Sequence, residues 1–154
     1  MNLHIIIAED DIDDADIVCA AFNKNPHFDK VSLVTNGEEL LNYLKDPTKD
    51  TPDVILTDIN MPLKDGIEAL QEILNTDEIK HLPCFVYSTS INPAYKEKCD
   101  QLGVKAYLIK PYSIEGFEEI PKNIFFLRIS TVGGHRSTEI SLQRTHLWPP
   151  IRQN

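Results

Sequence analysis

Arginine is missing from the first 127 residues of this 154-residue chain; all four arginines fall at positions 128, 136, 144 and 152. Basic residues of either kind are scarce in the same region. The first 120 residues hold 10 Lys+Arg against 23 Asp+Glu, and the whole chain has a formal net charge of −9. A surface of that sign disfavours nucleic acid, whose phosphates require Lys and Arg. No apolar run approaches the roughly 20 residues that cross a bilayer. The N-terminus carries neither a basic region nor a cleavage site, so no membrane span and no export are expected. Cysteine is represented only by Cys19, Cys84 and Cys99. An odd number at wide spacing suits neither a disulfide framework nor a zinc site, and fits small buried apolar residues in a reducing cytosol.

What is present is the mix of a globular domain, with 42% apolar and 25% charged residues. Strand-like and helix-like segments alternate along it. Strands are predicted at residues 3–8, 30–35, 54–57, 84–88 and 106–109 from their short apolar, β-rich character. Between them, Ala15, Val18, Cys19 and Phe22 recur at helical spacing, as do Ile67, Leu70, Ile73 and Leu74. Start signals precede the helices. Asn36 and Asp65 each stand three residues before a glutamate, Asn92 precedes Pro93 at the first helical position, and Ser113 could cap a fifth helix. Gly103 suits a helix C-terminus. Pro121 is expected to interrupt the fifth helix. Five β-α units in succession imply an α/β fold: a doubly wound parallel sheet with helices on both faces.

The composition changes after residue 127. Residues 121–154 carry five basic residues against one acid, with Gly133-Gly134 and Pro149-Pro150 and no persistent period. We therefore divide the chain into a domain at 1–127 and an atypical basic tail at 128–154. The tail is expected to be poorly ordered and to derive from a shifted reading frame or an added extension.

In a doubly wound sheet the ligand site lies beyond the carboxyl ends of the strands. The polar residues gather there. Glu9, Asp10 and Asp11 follow Ile5-Ile6-Ile7-Ala8. Asp58 ends the third strand and opens the loop Asp58-Ile59-Asn60-Met61-Pro62-Leu63-Lys64-Asp65-Gly66. Ser88 ends the fourth strand, and Lys110-Pro111 follows the fifth. An acid cluster, a single acid and a lysine, in that order and each at a strand end, resemble a response-regulator receiver domain over residues 3–127. The resemblance implies a flavodoxin-like sheet of five strands in the order 2-1-3-4-5. Strands one and three are then neighbours, and Asp10 and Asp58 can share an ion. Clustered carboxylates at neutral pH need raised pKa values or a cation, and all-oxygen ligands suit Mg²⁺.

The roles implied by the resemblance follow. Asp58 would be the phosphoacceptor. Mg²⁺ would be held by Asp10, Asp58, the backbone carbonyl of Asn60 and, through water, Glu9. Lys110 and Ser88 would contact the phosphoryl group, and Ser88 with Tyr107 would form the switch. Asp11, Asp13 and Asp14 are assigned to a solvated loop, with Asp11 capping the first helix. The implied function is a single-domain response regulator in the cytoplasm. It would be phosphorylated by a sensor histidine kinase or histidine phosphotransfer protein and act on a downstream protein target. Its output would be a change at the face of the fourth helix, fifth strand and fifth helix. No helix-turn-helix, Walker or kinase signature supplies another output. A homodimer stays open, although Pro121 falls on the face it would use. The alternatives are a Mg²⁺-dependent aspartyl-phosphate phosphatase, disfavoured by Asn60 where a second acid is usual, and a binding module independent of phosphorylation. Turnover as an enzyme is not expected.

Overall fold

The computed structural model describes residues 2–90, 92–129 and 147–148. Five strands, β1 (Leu3–Ala8), β2 (Phe28–Val34), β3 (Val54–Asp58), β4 (Cys84–Ser88) and β5 (Ala106–Ile109), alternate with five helices. These are α1 (Ile12–Lys24), α2 (Gly37–Lys45), α3 (Gly66–Leu74), α4 (Pro93–Gln101) and α5 (Ile114–Leu127). The five strands are parallel and run in the order 2-1-3-4-5, as expected from the sequence. A two-residue strand not foreseen in the sequence, β6 (Leu147–Trp148), pairs antiparallel with β5 at the sheet edge. The rest of the tail beyond residue 129, with the order expected of it, lies outside the described residues.

Side chains alternate across a strand, so each central strand feeds two cores. Ile5, Ile7, Val54, Leu56, Phe85, Tyr87 and Leu108 pack beneath α1 and α5 with Val18, Phe22, Phe117 and Ile124. Ile6, Ala8, Ile55, Val86 and Tyr107 face the other way, onto Leu40, Ile67, Leu70 and Ile73 of α2 and α3. Burial on both faces explains why β1 reads as an apolar run with no polar break after His4. Cys84 and Cys99 lie buried in the second core and are free thiols, as is half-buried Cys19.

The start signals act locally as their chemistry suggests. Asp11, Asn36, Asp65, Asn92 and Ser113 each accept a backbone N–H of the following turn. Asp65 and Glu68 close a reciprocal capping box. Gly103 follows α4 with φ +72°, the left-handed region that favours glycine. As expected, Asp11 caps α1, which starts at Ile12, three residues before its apolar stripe. One expectation changes: α5 runs unbroken through Pro121. An interior proline costs about 3 kcal/mol. Phe117, Ile120, Ile124 and Leu127 are all buried on that helix, at about 1.5–3 kcal/mol each, which outweighs the lost hydrogen bond.

The turn from β3 into α3 fixes where Asp58 ends. Gly66 donates its N–H to the Ile59 carbonyl at 2.8 Å. A β-carbon on Gly66 would stand 2.1 Å from the Asp58 carbonyl oxygen, so only glycine lets α3 begin this close to the acid. Gly66→Ala is therefore expected to lower the unfolding free energy by about 3 kcal/mol, as a shift in the urea midpoint. A midpoint within about 0.5 kcal/mol of wild type would contradict the close approach.

Candidate functional site

Strands β1, β3, β4 and β5 end at one edge and bring their terminal polar residues together. Asp58 is the last residue of β3, 7% exposed, and its Oδ1 accepts the Ile59 N–H at 2.7 Å. Glu9, one residue past β1, is fully buried, whereas Asp10 beside it is exposed. One carboxylate oxygen from each of Glu9, Asp10 and Asp58 lies within 4.8 Å of the others. Lys110 enters from the end of β5. Its Nζ is 2.8 Å from Glu9 Oε1, 3.0 Å from Asp58 Oδ2 and 3.0 Å from Asp14 Oδ2. It also lies 4.8 Å from the centroid of the Tyr87 ring.

The electrostatics follow from crowding and burial. Burial pushes the Asp58 carboxyl up to about 6; the charge and hydrogen bond of Lys110 oppose this, the charge of Glu9 adds to it, and the Ile59 N–H opposes it. For Lys110, burial alone would lower the pKa. The hydrogen bonds and charges of Glu9 and Asp58 together carry it above the usual lysine range, so it stays cationic. Burial, then the charge and hydrogen bond of Glu9, raise the Tyr87 phenol well above its ordinary value. Tyr87 is thus a neutral donor, its hydroxyl 2.6 Å from Glu9 Oε1. The donor set itself fits a hard divalent cation. Three carboxylates offer oxygens only, Asp10 faces solvent, and a cation would offset both the lost solvation that raises Asp58 and the added repulsion of Glu9.

The remaining residues singled out in the sequence take the following places. Ser88 is buried at the end of β4, where its carbonyl accepts the Lys110 N–H at 2.8 Å. Tyr107 is already turned inward, with its hydroxyl donating to the Ser90 carbonyl at 3.1 Å. Asn60 is exposed two residues beyond Asp58. Glu9 has both oxygens engaged by the protein: Oε1 by Tyr87 and Lys110, Oε2 by the Asp11 N–H at 3.1 Å. The assignment of Asp14 to a solvated loop is corrected, because its carboxylate pairs with the buried lysine from the first turn of α1. Tyr87 was missed entirely. Its signal in the sequence was a hydroxyl-bearing aromatic in an otherwise apolar buried strand, where the hydroxyl needs a partner. Asp14 had only its position, one helical turn after the acid cluster.

The chain belongs to the response regulator receiver domain family, whose profile matches residues 5–121. It is accordingly the receiver domain of a response regulator in two-component signalling. It is 26% identical over 136 residues to the probable methanogenesis regulatory protein FilR2 of Methanothrix harundinacea, covering 86% of each chain. Among solved structures it resembles the phosphorylated cyanobacterial phytochrome response regulator RcpA (30% identity, TM-score 0.76, 84% of this chain and 96% of that one). It also resembles the Mn²⁺-bound form of response regulator Rcp1 (26% identity, TM-score 0.73, 84% and 97%). No helix among the described residues is long and apolar enough to cross a membrane.

A carboxyl raised from 3.8 to about 6 makes the folded state take up a proton before the unfolded chain does. Its contribution is complete below pH 3.8 and is lost as pH rises through about 6. In metal-free buffer, Asp58→Asn should thus gain roughly 2–3 kcal/mol over wild type at pH 7.5 and lack the wild-type decline between pH 4 and 6. Mg²⁺ should stabilise wild type and leave the variant nearly unmoved. Parallel denaturation curves across pH would contradict this account.

Proposed function

We propose that the chain accepts a phosphoryl group on Asp58 from a phosphohistidine of a sensor histidine kinase or histidine phosphotransfer protein, in a Mg²⁺-dependent reaction in the cytoplasm. The observation that carries this reading is the convergence of Glu9, Asp10 and Asp58 with Lys110 at one strand edge. In the transfer, an Asp58 carboxylate oxygen forms a bond to phosphorus as the phosphorus–nitrogen bond of the donor breaks. The electron pair stays on the imidazole, which takes up a proton. Asp10, Asp58, the Asn60 carbonyl and, through water, Glu9 would hold Mg²⁺, which would supply the positive charge that lets the Asp58 carboxylate approach an anionic phosphoryl group.

The chain's own residues position and stabilise. The Ile59 N–H fixes one Asp58 oxygen. Lys110 is aimed at the other and needs little movement to reach a phosphoryl oxygen. The Ser88 hydroxyl, at the end of the neighbouring strand, donates to the group once it is attached. Such positioning carries most of a reaction with little covalent work for the protein to do. Asn60 in place of a second acid two residues after Asp58 favours a retained phosphoryl group over turnover, so the chain signals and does not act as a hydrolase.

The output is read at the α4, β5 and α5 face. Tyr107 is buried on β5, and its inward rotamer is one of two states whose balance the phosphoryl group shifts as Ser88 is drawn toward Asp58. A downstream protein then binds the changed face.

Incubation with a small phosphoryl donor and Mg²⁺ should give an intact-mass gain of one phosphoryl group. The gain should be absent in Asp58→Asn and absent after chelation. Sustained phosphate release without a lasting adduct would favour a phosphatase, and no gain under any donor would overturn the reading.

A further inference from the structure

Lys110 is held by three carboxylates, and they are not equivalent. An ammonium has three N–H donors, and Glu9, Asp58 and Asp14 account for one each. Glu9 and Asp58 belong to the oxygen set that fits a divalent cation, whereas Asp14 does not. Asp14 stands on the first turn of α1, its side chain 30% exposed, and lines a cleft of about 380 Å³ with Thr89, Lys110 and Tyr112. It is thus the anion between the lysine and open water.

Charge sharing makes the difference matter. Glu9 and Asp58, once drawn onto a divalent cation, attract the ammonium less, and the ammonium is itself repelled by the ion a few ångströms away. A lysine side chain is flexible and strongly hydrated, and left without a partner it would swing into the cleft. Asp14 lies outside the oxygen set that fits the cation and so remains a partner for the lysine in both situations. Resting on the phosphoacceptor reading of Asp58, we infer that Asp14 is a positioning residue: it tethers Lys110 at the site when a divalent cation is bound, so that the ammonium is in place for the incoming phosphoryl group.

The substitution is mild for the fold. The Asp14 backbone N–H, not its side chain, makes the cap hydrogen bond to Asp11, so Asp14→Asn keeps that contact. Asp13→Asn removes the same charge from the same turn at an exposed position and serves as control. Two readouts are used on the full chain. The first is the side-chain ammonium ¹H–¹⁵N cross-peak of Lys110, assigned by its disappearance in Lys110→Arg and followed through a Mg²⁺ titration. The second is the rate of adduct formation with acetyl phosphate at saturating Mg²⁺. In that transfer an Asp58 oxygen bonds to phosphorus as the bond to acetate breaks, releasing acetate.

Wild type and Asp13→Asn should keep the cross-peak at saturating Mg²⁺, and Asp14→Asn should lose it. The transfer rate in Asp14→Asn should fall about tenfold, and Asp14→Glu should recover most of it. A retained cross-peak in Asp14→Asn overturns the tether. So does a lost cross-peak with an unchanged rate, since a positioning residue has to act on the transfer. If wild type forms no adduct, the phosphoacceptor reading fails, and the cross-peak alone still decides whether Asp14 holds the lysine.

Discussion

One ammonium surrounded by carboxylates is the interaction on which the rest of this structure turns. Burying Asp58 and Glu9 at the end of a parallel sheet is costly, because each charge loses its water. Lys110 offsets that cost by contacting both at hydrogen-bond distance, and Tyr87 and the Ile59 and Asp11 N–H groups occupy further lone pairs. The balance is incomplete. Asp58 remains harder to ionise than an ordinary carboxyl, with its pKa raised to about 6. A site that keeps unspent negative charge is a site prepared for a cation, and for chemistry in which added positive charge changes the outcome.

The fold serves this arrangement by exact placement of strand ends. Alternation of side chains across β1, β3, β4 and β5 buries both faces of the sheet, so the register cannot slip without turning apolar residues outward. That rigidity fixes Asp58 against Lys110. Gly66 then brings α3 onto the Asp58 backbone. The same alternation sends Tyr87 to the α1 and α5 side and Tyr107 to the α2 to α4 side. Tyrosines on adjacent strands thereby serve different purposes: one braces Glu9, the other borders the face proposed to carry the signal.

Much of this was legible in the sequence, and the reasons differ by residue. Asp58 and Lys110 announced themselves because each ends an apolar run, where a charge has no solvation reason to be. The caps at Asn36, Asp65, Asn92 and Ser113 and the turn at Gly103 rest on local chemistry that survives folding unchanged, whereas the strand order was implied by the resemblance to receiver domains. The partners of Lys110 and Glu9 were less accessible. Asp14 is 96 residues from Lys110 and looked like one more acid on a solvated turn. Tyr87 is 78 residues from Glu9 and looked like core. Both depend on which helix face and strand face meet in space, which spacing alone does not settle. Pro121 misled for the opposite reason: a strong local rule lost to the buried face of α5.

The central claim is that Glu9, Asp10 and Asp58 bound a single divalent-cation pocket with Lys110 as its fixed counter-charge. Crystals grown with Mn²⁺ and measured at the manganese absorption edge test it directly. The account predicts one anomalous peak at coordination distance, roughly 2–2.3 Å, from carboxylate oxygens of both Asp10 and Asp58, with Lys110 still paired beside it. A peak elsewhere on the surface, or a cation touching Asp10 while Asp58 keeps only its lysine, would contradict it.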